Sequence, residues 1–252
     1  MKFLYVPPWA MMSLNGTGSG SVEATYDANW LTDGLPLKPV RGTSANPAWT
    51  VAGTSRPCNF AAVINSNASV GTTASVSGVN LSVVQGASAG RVPFNPWAVL
   101  KDATTGALLP PVNLALSTFT FSGNSVNPLI VGQLVVGQAF ELERPIQPGG
   151  RRAYGRFNQQ PDPSVDGQIR VYRRDKLGRT FSGSTTATTA GMDALIDWYE
   201  STEDNQLMSV IVPDPLLPDA WAVKFSDFGY ERQGPDLYSV TLSFQELPRK
   251  RW

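Results

Sequence analysis

From Tyr238 the chain alternates without a break: Tyr238, Val240, Leu242 and Phe244 are apolar, while Ser239, Thr241, Ser243 and Gln245 are polar. A period of two sends successive side chains to opposite faces, so this stretch folds as a strand with one buried and one wet face. Trp221, Val223 and Phe225 repeat the period upstream. Gly229, Gly234 and Pro235 lie between the two runs, which predicts an antiparallel hairpin closed by a long loop. Composition carries the constraint to the rest of the chain. The 23 glycines and 20 prolines among 252 residues interrupt long helices, and Val, Thr, Ser and Phe favour short strands joined by turns. The chain reads as mainly β.

Charge and residue chemistry then narrow the function. Twenty basic and twenty acidic side chains cancel, so the total points to neither nucleic acid nor an anionic membrane as the main partner. The chain has no histidine, which removes the commonest general base, the commonest metal ligand and every histidine-based triad. Carboxylates would have to carry any hydrolysis. Glu141 with Glu143, and Asp193 with Asp197, are spaced like surface pairs rather than cleft pairs, so no enzyme and no cofactor are expected. Asp162 and Asp166 are too sparse for a calcium loop, and "NGTGSGS" at 15–21 lacks the Gly-Lys-Ser/Thr ending of a phosphate loop, so no metal or nucleotide is expected either. Cys58 stands alone, which precludes an intrachain disulfide and predicts a buried thiol. At the start, Pro7 and Pro8 break the apolar patch of "MKFLYVPPWAMM" before it reaches the length of a signal h-region. That stretch reads as an edge segment of the fold. No apolar run approaches the ~20 residues that span a bilayer, so no membrane insertion and a cytoplasm-like compartment are expected.

The charges are unevenly placed. Residues 1–140 hold ten of the forty charged side chains, and the shift falls at "FELERPIQPGGRRAYG". Proline and glycine crowd that stretch, which predicts a linker and two domains, 1–145 and 146–252. In the first, strands are read around Trp49–Val51, Phe60–Ile64, Ala74–Val84, Phe119–Phe121 and Leu129–Leu142, the spacing of a sandwich. In the second, Ile169, Val171 and Tyr172 predict a strand that turns at 175–178 and returns over 180–186. Met192, Leu195, Ile196 and Tyr199 fall at i, i+3, i+4 and i+7, a helix near 189–200 with Thr188 or Thr189 as its cap. "LMSVIV" and the closing hairpin follow.

Two stretches resemble known families. "NWLTDGLPLKPVRGTS", "FAAVINSNAS" and "NPLIVGQLVVGQAFEL" are similar in order and kind to the features of galactose-binding-like (discoidin-type) jelly rolls found at the front of some phage tail proteins. "VKFSDFGYERQGPDLYSVTLSF" resembles the ending of phage minor tail and distal tail proteins, through Lys224, Phe225, Gly229, Tyr230, Glu231, Arg232, Gly234, Tyr238, Val240, Leu242 and Phe244. The sequence departs from that pattern at Ser226 and Phe228, which take glycine positions. The resemblance implies a jelly-roll, galactose-binding-like first domain and a tail-tube-like second sandwich with one packed helix. It implies a structural virion protein of a long-tailed phage, a distal tail or baseplate-hub component at the tail tip, assembled in the host cytoplasm. Its partners would be further copies in a hexameric ring, tail-tube and tail-hub or fibre proteins, and DNA only in transit. The alternative is a carbohydrate-binding adhesin of the tail tip that attaches to a host surface glycan.

Residues 151–179 carry eight basic side chains against three acidic ones. Arginine forks suit interface carboxylates, so Arg170, Arg173, Arg174 and Arg179 are read as a subunit contact facing Glu200, Glu203 and Asp204. Trp30, Trp49 and Trp97 are the candidates for stacking on a sugar.

Overall fold

The computed structural model describes residues 4–6, 22–31, 38–69, 71–76, 79–80, 97–99, 104, 110, 112–137, 139–144, 146, 151–156, 161–163, 169–171, 177–203, 209–211 and 220–247. The first strands in chain order are β1 (Leu4–Val6), β2 (Val40–Arg41), β3 (Ala48–Cys58), β4 (Phe60–Ser66), β5 (Thr73–Val76) and β6 (Val79–Asn80). Next come β7 (Trp97–Val99), β8 (Val112–Ser122), β9 (Ile130–Gly137), β10 (Phe140–Glu141), β11 (Arg151–Arg156), β12 (Pro161–Pro163) and β13 (Ile169–Val171). β14 (Leu177–Ala187) leads into the helix α1 (Thr189–Glu203), and β15 (Ser209–Ile211), β16 (Trp221–Gly234) and β17 (Leu237–Glu246) close the sequence of elements. The protein is mainly β, and the described pairings are antiparallel.

Two four-stranded sheets, β2-β9-β4-β7 and β3-β8-β5-β6, share one core. Trp49, Phe119, Phe121, Ala74 and Val76 of one sheet meet Val40, Ala61, Val63, Val131, Leu134 and Val136 of the other. Cys58 is buried at the margin of this core. Strand β4 does not alternate, because both of its faces are covered: all seven residues are buried. Ala61 and Val63 point into the sandwich, while Phe60, Ala62 and Ile64 meet Val210 and Ala222 of a third sheet and Ala220 just before its strand β16. A continuous apolar run is what a strand between two layers requires.

That third sheet has seven strands in the order β10-β1-β15-β16-β17-β14-β11. Its other face carries α1, whose Met192, Leu195 and Trp198 are buried against Phe181, Phe225, Val240, Leu242 and Phe244. The layers therefore run sheet, sheet, sheet, helix. Four observations stand beside the sequence reading. The C-terminal region, in its described residues, is one sheet with a helix on it rather than two facing sheets. Sheet membership does not divide at residue 146, because Leu4–Val6 and Phe140–Glu141 pair within the C-terminal sheet. Strand β1 is also not an edge, since β10 and β15 flank it. Finally, β13 pairs with β12, whereas β14 pairs with β11 and β17.

The closing hairpin also differs from expectation in its loop, which is only Pro235–Asp236. The strands run on through Gly229, and a register shift between Phe225 and Asp227 explains why alternation hid this. One extra residue, Ser226, resets the parity, so Phe228 joins Phe225 on the helix side.

Candidate functional site

The helix starts at a chain reversal after β14, and its free amides are satisfied locally. Gly191 N donates to the Thr188 hydroxyl at 3.3 Å, which makes Thr188 the cap. Glu143 accepts from the Thr188 amide and hydroxyl at 2.9 and 2.8 Å, and Asp236 accepts from the Thr189 amide at 2.8 Å. Hydrogen bonds from the Thr189 side chain and backbone hold the Asp236 carboxyl below its ordinary value. A Cβ at Gly191 would stand 2.5 Å from Glu143 Cδ, so a larger residue there would displace that carboxylate from Thr188. Two carboxylates already sit where the helix field is positive, so this terminus is closed by its own chain.

From that start an aromatic series runs from the core to the surface. Trp198 lies edge-on to Phe225 with ring centres 4.5 Å apart, and its Nε1 donates to the Ser209 hydroxyl at 3.1 Å. Tyr199 stacks on Phe228 at 4.9 Å and 19°. Phe228 leads to Tyr230 at 6.0 Å, and Tyr230 to Tyr238 at 6.2 Å. Tyr230 is 55% exposed, while Tyr199, Phe228 and Tyr238 are half-buried. Arg232, opposite Tyr238 across the hairpin, donates to the carbonyls of Gly234 and Pro235 at 3.0 Å each and braces the turn. Open aromatic faces beside fixed polar groups bind by stacking and by cation–π attraction.

The residues singled out in the sequence are dispersed by comparison. Arg170 falls on β13 and Arg179 on β14, opposite Tyr154 of β11. Glu200 is exposed on α1 and Glu203 ends that helix. Arg173, Arg174 and Asp204 lie outside the described residues. Trp49 is 2% exposed and packs edge-on to Phe121 at 5.5 Å, so its faces serve the core and not a sugar. Trp30 is half-buried beside Tyr26, at 6.2 Å edge-on, and its carbonyl accepts from Gln133 Nε2. Trp97 falls on β7. Sequence reading missed Trp198, Phe228 and Tyr230 as a connected group. Leu195 and Trp198 are three apart on the helix, a spacing that could have widened the apolar stripe.

One end of the sandwich is held by amide side chains instead. Asn124, 5% exposed, accepts at Oδ1 from the amides of Ser69 and Val126 at 2.9 and 3.2 Å and from the Ser69 hydroxyl at 3.0 Å. Its Nδ2 donates to the carbonyls of Ala45 and Val126 at 2.7 and 2.8 Å. Asn67 accepts from Ile130 N at 2.7 Å and donates to the Pro128 carbonyl at 3.2 Å. Three loops are tied into one unit by groups that are themselves satisfied, the arrangement of a structural joint.

No family model matches the chain, and no curated protein matches it. Among solved structures it is similar to a selenomethionine-labelled mutant of chitosan-binding module 1, derived from a chitosanase/glucanase of Paenibacillus sp. IK-5. That similarity covers 53% of this chain and 99% of the module, at 13% identity and a TM-score of 0.35.

Proposed function

We propose that this chain is a structural protein of a phage tail tip, a ring-forming distal tail or baseplate-hub component. What supports the reading is where the resembling residues fall. The matched positions from Lys224 to Phe244 lie on the single hairpin β16–β17, which sits inside the seven-stranded sheet and carries the helix-facing core. A ring needs a surface that differs from its partner surface and repeats around an axis. By resemblance the copy number is six, with Arg170, Arg173, Arg174 and Arg179 facing Glu200, Glu203 and Asp204 of the next copy.

Immunogold labelling tests this on particles released by cells that carry the gene. Label at one tip of a long tail is the expected result. Label elsewhere on the particle, or none, sinks the tail-tip assignment. Capture of the purified chain on a glycan array would move the function to an adhesin.

A further inference from the structure

Strand β16 outruns its neighbour on one side. The short strand β15 pairs with Trp221–Val223 alone, while β17 follows the other side as far as Gly234. Among the described residues no strand pairs with the β15 side of Asp227–Gly234, a stretch of roughly 26 Å at a strand's ordinary rise. An unpaired edge turns alternate N–H and C=O groups outward and is a template for one more strand. We propose that this edge of β16 receives an extended segment of a partner protein, one whose side chains alternate between basic and apolar.

The two faces of the edge set that alternation. Phe228 and Tyr230 lie opposite Leu242 and Val240 of the helix-side core, whereas Asp227, Gly229 and Glu231 lie opposite Ser243, Thr241 and Ser239 on the other face. On the helix side Tyr199 stacks on Phe228, and Tyr230 stands exposed beyond it, so an added strand lays apolar side chains along rings. On the other side Asp227 and Glu231 are exposed. Glu231 accepts from the neutral Gln233 Nε2 at 3.3 Å, which leaves its charge in place. A Cβ at Gly229 would meet nothing within 4 Å among the described residues, so the lane between the two carboxylates has room for long basic side chains.

The same charges decide against a second copy as the occupant. Two β16 edges paired antiparallel about Gly229 would set Asp227 of each opposite Glu231 of the other, and like charges directly opposite destabilise a ladder. A basic strand reverses that sign. The main chain then supplies the affinity, and the rings and carboxylates supply the choice of sequence. The contact does not rest on the tail-tip reading.

Fluorescence anisotropy on the purified full chain tests this with a labelled synthetic peptide of alternating lysine and valine, about 26 Å long when extended. The peptide is expected to bind saturably, and one of the same composition arranged as a lysine block and a valine block should bind roughly tenfold more weakly. Strand pairing uses the amides of every second residue. Of two further peptides, one N-methylated at its lysines and one at its valines, one should therefore lose binding and the other keep it. Asp227→Lys/Glu231→Lys should weaken binding roughly tenfold, and Tyr230→Ser about threefold, with melting temperatures unchanged. Equal binding by the two methylated peptides, equal binding by the block and alternating peptides, or indifference to the charge reversal would each overturn the proposal. So would a wild type that binds no peptide, or edge-to-edge dimers in sedimentation velocity that the peptide fails to dissociate. Labelling of tail tips is unaffected by any of these results, so the two readings fail separately.

Discussion

The two regions of this molecule treat their surfaces differently. In the sandwich, β4 is covered on both sides and three loops are sewn together by Asn124 and Asn67, so its polar groups turn inward on one another. In the seven-stranded sheet, one face is shared between a helix and open aromatic rings. Thr180, Thr241 and Gln245 stand exposed on β14 and β17. The first region uses its side chains to hold itself; the second leaves part of them unspent. Interaction surface is to be sought where burial stops partway along an element, as it does between Phe225 and Tyr230 of β16.

The comparison can be broken at its two cores. Trp198→Ala removes the largest side chain between helix and sheet and should destabilise the C-terminal region by about 3–5 kcal/mol, and Leu195→Ala by about 2–5 kcal/mol. Denaturant unfolding followed by tryptophan fluorescence and by circular dichroism measures it. If the layer of Phe60, Ala62, Val210 and Ala222 couples the regions, both probes move together; separate transitions would show two independent units. A loss under ~1 kcal/mol would mean the helix is not core.

Asn124→Ala is the matching change in the sandwich, expected to cost about 1–3 kcal/mol because buried amides and carbonyls lose their partner. An unchanged unfolding midpoint would show that the loops hold without it. Ala222→Leu probes the seam itself. Four of its eight residues are alanine, which keeps the layer thin, so added volume should cost about 1–3 kcal/mol.

The smallest effect concerns pH. The Asp236 carboxyl is held low by Thr189, so its contribution is present above the ordinary carboxylate value and is lost as pH falls through the lowered one. Asp236→Asn should therefore lower the melting temperature slightly at neutral pH and have no effect in strong acid. Equal effects at both would assign the loss to something other than charge.

How much of this was legible in the sequence follows the distance over which each residue acts. The alternation of β17 and the spacing of Met192, Leu195 and Tyr199 are local, and both elements stand where they were expected. The bulge at Ser226 is one residue long but reverses parity, so the strand beyond it read as loop. The pairing of Tyr5 with Phe140 and Ile211 leaves no local mark at all. A three-residue strand has too few positions to show a period. The aromatic group was invisible for the same reason: its members come from a helix and two strands and meet only after packing.

Strand β1 sets an order of events during synthesis. Tyr5 is made some 200 residues before its neighbour Ile211. At about 5–20 residues per second the ribosome needs on the order of 10 to 40 s to deliver it. Both facing sheets of the sandwich can meet long before then, since their strands end with β9 at Gly137. Strand β1 must wait beside a sandwich whose strands are already made, and the seven-stranded sheet closes around it only once β15 has been delivered.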